Sequence, residues 1–288
     1  VKRLIVNADD FGLTAGVNAA VVELHAAHRL TSATLMARAE ATEAAMEAAR
    51  ATPSLGVGCH LVFVDGAPLL PPRELPTLVD PHTGRFRKTL GRFVRDLLAS
   101  RIRREEIAQE AEAQMRYLES RSVRLTHVDT HKHTHMFGAV LEPVLKAAQR
   151  CGIQAIRNPF EPAWSIAATR GAPAVRRLEV HLLNIMRGSF LERVKAAGLT
   201  TTDGAVGVLA TGTLDAATIA ALVAAMPDGT WELVTHPGYT DEALGRAGTR
   251  LIASRAVELA ALRGMPPLPG TEWIHFGELQ GLACARSG

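Results

Sequence analysis

The sequence predicts an α/β protein, a (β/α) TIM-like barrel with mostly parallel strands, on three observations. Short apolar runs alternate with segments of helical spacing along the whole chain. Eight such runs can be counted, and polar residues able to bind a metal fall repeatedly where those runs end. At 288 residues and 47% hydrophobic the chain can bury one large core, and barrels of this kind commonly use about 250 residues as one domain. Residues 1–288 are therefore expected to form a single barrel domain.

Residues 4–7 are the first apolar run, and residues 15–30 then place Val17, Val21, Leu24 and His28 on neighbouring turns behind a Thr14 cap. Further strands are expected at 33–36, 57–62, 125–129, 155–157, 206–209, 233–235 and 274–276, and helices at 104–119, 140–149, 216–226 and 252–263. The one long irregular stretch, 64–88, is rich in Pro and carries an Asp80-Pro81-His82-Thr83-Gly84 turn signal. Its length suggests a lid or binding loop.

Composition narrows the function. A net charge of +3 is too small to require a polyanion, and with 5% aromatic residues there are few stacking platforms for single-stranded nucleic acid, so no nucleic-acid partner is expected. Cys59, Cys151 and Cys284 are odd in number and show no CxxC spacing, which speaks against a disulfide framework or thiolate zinc. They read as small apolar residues. No apolar run approaches the roughly 20 residues that cross a bilayer, and none resembles a signal peptide. A cytoplasmic protein is expected. Residues 175–187 mix Arg with large apolar residues, which leaves peripheral contact with the inner face of a membrane open, although an ordinary barrel helix is the simpler reading.

The chemistry gathers at strand ends: Asn7-Ala8-Asp9-Asp10, Cys59-His60, Asp129-Thr130-His131, Arg157-Asn158-Pro159-Phe160 and His236-Pro237-Gly238-Tyr239. From His127 to His135 every second residue is His or Asp, and an extended chain would turn them all to one side. One carboxylate and two imidazoles form a common divalent-metal set with positions left open, and Asp10, His60 and His131 are assigned to it. Asp9 is then free to accept a proton from water, Arg157 to hold it ionised, and His236 to protonate a leaving amine. Asp129, His133, His135, Phe160 and Tyr239 are the substrate-side candidates. His25, His28, His82, His181 and His275 read as surface or packing residues. Taken singly, an Asp-Asp pair is a turn or cap and a lone His is structural; the joint placement carries the argument.

With these motifs, including Thr126-His127-Val128-Asp129-Thr130-His131-Lys132-His133 and His236-Pro237-Gly238, the sequence resembles the YdjC-like carbohydrate deacetylase family over nearly its whole length. The resemblance implies a deacetylase-type barrel, a divalent metal described as magnesium, an N-acetylglucosamine-bearing substrate, metal-binding His60 and His131, and Asp9 and Asp10 as base and ligand. By ligand set, zinc or another transition metal suits the site at least as well. Arg157-Asn158-Pro159-Phe160 also resembles the Arg-x-Pro-aromatic motif of broader polysaccharide deacetylases. Within the family, His60-Leu61-Val62-Phe63-Val64-Asp65-Gly66-Ala67-Pro68, Gly84-Arg85-Phe86 and Ala197-Gly198-Leu199-Thr200-Thr201-Thr202-Asp203 are most similar to the hopanoid-biosynthesis-associated (HpnK) branch, which implies a lipid-linked substrate. The alternatives are a chitooligosaccharide deacetylase and a catalytically silent sugar-binding barrel. A homodimer is left open.

Overall fold

The computed structural model describes residues 1–281; Cys284 lies outside them. Seven strands form one parallel sheet: β1 (Lys2–Phe11), β2 (Ser32–Leu35), β3 (Gly56–Leu61), β4 (Leu125–Thr130), β5 (Gly204–Val206), β6 (Gly229–Thr235) and β7 (Thr271–Trp273). The order is β4-β3-β2-β1-β6-β5, with β7 paired to the first residues of β1. β1 is buried from Leu4 onward because helices cover one face and the curled sheet's own interior fills the other, as expected for a near-continuous apolar run in a parallel sheet.

The sheet is a curled half-barrel, not the closed eight-stranded barrel that the sequence suggests. Residues 155–157 join it through single bridges, Val128 to Ile156 and Ala155 to Thr200. Pro159, which has no N–H to donate, stops any continuation there. The expected strand at 206–209 ends early, at Val206. Gly207 turns with φ 86°, and the amides of Gly207 and Leu209 donate to the buried Glu161 carboxylate instead of to a ladder. At 274–276 the chain is also not a strand: His275 caps the short helix Phe276–Glu278, and the Glu278 carboxylate accepts from the His275 amide at 2.7 Å.

Helices begin and end near where their spacing predicts, at Ala15–Ala26, Arg104–Ser120, Gly138–Arg150, Ala216–Ala225 and Ala253–Arg263. Thr14, Asp215 and Asp241 each cap a helix through a side-chain oxygen. Among the described residues no helix is long and apolar enough to cross a membrane.

The Pro-rich stretch 64–88 is fastened down. Glu106, Glu110 and Gln114 lie along one face of Arg104–Ser120, and their carboxylates and amide accept from the amides of Thr77, Leu78, Leu69, Leu70 and Val62. The stretch's own Leu75, Leu78, Val79 and Phe86 are buried. Glu110→Ala strands two amides and a buried glutamine, so a loss of about 2–4 kcal/mol is expected, read as a lower urea midpoint and faster proteolysis within 64–88.

His127 stacks on Phe276 at 3.8 Å between ring centroids, in space that exists because Gly58 has no Cβ; an added methyl there would lie 2.4 Å from the imidazole. Burial pushes His127 down to about 3. The unfolded chain takes up this proton near pH 6.5 and the native one only near 3, so acid favours unfolding across that window. His127→Phe should remove about 1.4 kcal/mol per pH unit from the acid slope of stability. An unchanged slope in urea titrations would mean that this ring is not held neutral.

Candidate active site

Neighbouring residues of a strand face opposite sides, yet Asp9 and Asp10 both serve one site. The β1 to β2 register shifts between Ala8 and Phe11, and Asp10 takes a left-handed conformation with φ 63°. This bulge turns a second carboxylate inward, and Asp is one of the few residues that tolerates the conformation.

Asp10 Oδ1 lies 3.5 Å from His60 Nε2 and 3.3 Å from His131 Nδ1, and the two imidazole nitrogens are 3.3 Å apart. Donors bound at about 2.1 Å to one ion are roughly 3.0–3.4 Å from each other, so this triangle fits a divalent metal. Asp10 Oδ1 is buried without a hydrogen-bond partner, while Oδ2 accepts from Arg255. His60 Nδ1 bonds to Asp129 Oδ1 at 2.8 Å, which leaves Nε2 for a metal. Burial opposes a charge on His60, but Asp129, Asp9 and Asp10 outweigh it and push the imidazole up to about 9. Asp9, Asp10 and Asp129, with Glu232 and Glu258 behind them, stand buried near only two guanidinium groups, Arg157 and Arg255, an excess of acid that suits a cation.

Asp9 is held differently. Its Oδ1 accepts from Asn7 Nδ2 at 2.9 Å, Thr34 Oγ1 at 3.2 Å and Arg157 Nη2 at 2.6 Å, and Oδ2 accepts from Arg157 Nη1 at 2.9 Å. Burial would raise its pKa, but Arg157, with help from His60 and His236, holds it far below the usual carboxylate range. His236 Nε2 is 3.7 Å from Asp9 Oδ2. Burial pushes His236 down to about 4, against the pull of Asp9 and Asp10.

The structure thus brings together Asp9, Asp10, His60, Asp129, His131, Arg157 and His236. The extended histidine comb does not persist past Thr130: the chain turns into the short helix His131–Met136, with Lys132 and His133 both left-handed at φ 57° and 52°. Asp129 is fully buried as the partner of His60 and Arg157, so it orients a donor instead of meeting substrate. His135 spends both ring nitrogens inside the wall, on Thr130 Oγ1 and the Arg157 carbonyl. Phe160 is buried edge-on against Phe190. Tyr239 is 40% exposed and binds Glu23 and Arg263 on the outer surface. Of the substrate-side candidates, His133 keeps Nδ1 without a hydrogen-bond partner, and Asp129 Oδ2 meets the Arg157 guanidinium.

Three contributors escape the motif reading. Glu232 on β6 accepts from Arg157. Arg255 and Glu258, three apart on Ala253–Arg263, are both fully buried: Arg255 meets Asp10, and Glu258 accepts from the His236 amide at 2.6 Å. Arg255 and Glu258 lie in the first turns of a helix that starts beside the mouth, a position that their local sequence does not reveal.

Known proteins resemble this chain in sequence and in fold. The YdjC-like protein family matches residues 3–265. A carbohydrate deacetylase of Brevibacillus brevis is 34% identical over 279 residues, 96% of each chain, and a chitooligosaccharide deacetylase of an Enterobacter species is 37% identical over 153 residues, 53% of this chain and 58% of that one. A crystal structure from Enterococcus faecalis, provisionally described as a cellobiose-phosphate cleavage protein, superposes with TM-score 0.73 at 25% identity, covering 92% of this chain and 91% of that chain. The fold and site define an α/β half-barrel with an Asp-His-His donor cluster at its mouth. The chain belongs to the YdjC-like family.

Arg255→Met removes the partner that fixes Asp10, and divalent-metal affinity is expected to weaken by about 10–100-fold. Calorimetric titration with zinc or manganese would measure it; undiminished affinity would show that Asp10 needs no such support.

Proposed function

We propose that this chain is a metal-dependent N-acetyl amidohydrolase that releases acetate from an N-acetylglucosamine unit. The observation that carries the reading is the open donor triangle of Asp10, His60 and His131 beside an independently held carboxylate, Asp9. The names of the Brevibacillus and Enterobacter relatives support the same reaction class. A sugar-binding barrel without catalysis would have no use for a base set next to a metal.

In this reading Asp10, His60 and His131 hold the metal, which supplies Lewis acidity at the acetyl carbonyl and makes water a better nucleophile. Asp9 takes the proton of the attacking water. Arg157 keeps Asp9 ionised and fixes its direction through two hydrogen bonds. His236 Nε2 lies 3.7 Å from Asp9 Oδ2, so a small adjustment of either side chain brings it within reach of this proton. His236 then passes this proton to the departing sugar nitrogen as the C–N bond breaks. Acetate and a free amine result, with the water's atoms shared between them.

For the substrate we infer a hopanoid lipid carrying N-acetylglucosamine, on the likeness of residues 60–68 and 197–203 to the hopanoid-associated branch. A soluble chitooligosaccharide is the second reading, favoured by the Enterobacter relative. Acetate release after chelation and metal add-back, measured with diacetylchitobiose and with N-acetylglucosaminyl hopanoid, separates them. Release from neither substrate would overturn the reaction itself.

Asp9→Asn is expected to bind metal normally and lose about 10²–10⁴-fold in kcat, whereas His131→Ala should lose metal and turnover together. Full activity in Asp9→Asn would assign the base elsewhere.

A further inference from the structure

We propose that the helix Ala174–Leu183 and the turn that follows it form a docking surface for an anionic lipid bilayer, set beside the mouth of the barrel. Val175, Leu178, Leu182 and Ile185 are 70%, 57%, 54% and 77% exposed, and spacings of three and four residues put them on one side of the helix. They are four of the ten large hydrophobic residues exposed among the described residues, gathered into one stripe where scattered singles are the norm.

The helix is amphipathic with its apolar side outward. What fastens it to the protein is largely polar: Arg177 donates to the carbonyls of Ile166, Thr169 and Ala172, Arg176 to that of Val208, and Asn184 to that of Glu161. Val180 is its buried residue. A helix that served only the core would place these faces the other way round. Glu161 comes four residues after Arg157, which grips Asp9, and Val208 comes two after the end of β5, so the bonds to their carbonyls hold the helix on the side of the sheet where the site lies.

Charge selects the occupant. Of the four arginines in residues 170–187, Arg176 and Arg177 are held by carbonyls of the protein, which leaves Arg170 and Arg187 exposed beside the single acid Glu179. Arg170 and Arg187 are exposed at the two ends of the stripe. A second copy docked about a two-fold axis would bring the exposed arginines of one stripe up to those of the other, whereas acidic headgroups receive Arg170 and Arg187 while the stripe enters the acyl boundary. The docking is independent of the chemistry proposed for the mouth.

Sedimentation of the full chain with phosphatidylglycerol–phosphatidylcholine vesicles, and with phosphatidylcholine vesicles alone, tests the proposal. Binding about tenfold stronger to the acidic vesicles is expected, weakened by salt and abolished in the Leu182→Glu/Ile185→Glu double variant. Arg170→Glu/Arg187→Glu, which leaves the apolar stripe intact, should lose the preference for acidic lipid. No binding to acidic vesicles, equal binding by a Leu182→Glu/Ile185→Glu variant of native circular dichroism, or a dimer in solution that this variant dissolves would overturn it. Acetate release from a soluble substrate, followed in parallel, keeps failure of docking distinct from failure of the hydrolase reading.

Discussion

The molecule is organised around one buried cation. The Arg157 guanidinium is 0% exposed and reaches Asp9 on β1, Asp129 on β4 and Glu232 on β6. Taking such a group out of water costs several kcal/mol, which only close counter-charges offset, and deleting it would leave buried carboxylates uncompensated at about 3–5 kcal/mol. Burial already pushes Glu232 up to about 7 despite its bond to Arg157. Arg157 sits where the sheet has single bridges in place of a ladder. There the ion network links β4 to β1 and β6, neither of which it meets through backbone pairing, so the residue that fixes Asp9 also holds the half-barrel together across its interior.

A second constraint follows from alternation. A regular strand could present Asp9 or Asp10 to the mouth but not both. The bulge at Asp10 solves this at a conformational cost of about 1–3 kcal/mol, offset by its bond to Arg255. The same device recurs at Lys132 and His133, where two left-handed residues end the run of alternate histidines and leave His131 as the last one delivered to the site. Lys132, thrown outward by the turn, meets Asp65 at 3.0 Å and joins this loop to the start of the Pro-rich stretch.

Local signals explain which parts of this were legible. Helical spacing and caps placed the helices, the ends of the longer strands marked Asp10, His60 and His236, and the short run 155–157 marked Arg157 although it joins the sheet only by single bridges. Closure of the barrel was not legible, because whether 155–157 becomes a strand depends on Glu161 and Pro159 drawing later segments away. The inward roles of Arg255 and Glu258 were hidden for a related reason: a charged pair three residues apart on a helix is the ordinary pattern of a solvent face. Tyr239 misled through proximity in sequence, since Gly16 lets the backbone of 239–241 press against the first helix and the ring follows that surface to Glu23.

The division of labour between adjacent aspartates can now be traced to their arginines. Asp9, His60 and Asp129 also lie close enough to form a donor triad, but Arg157 donates to both oxygens of Asp9 and pairs with Asp129, and a metal there would sit against a guanidinium. Arg255 takes only Oδ2 of Asp10 and leaves Oδ1 bare between two imidazole nitrogens. A carboxylate gripped at both oxygens stays ionised in a fixed direction, as a proton acceptor requires; one gripped at a single oxygen can offer the other to a cation. The same side chain in consecutive positions is thus held in two ways, by how many of its oxygens an arginine takes, and this difference fits the two roles proposed for them.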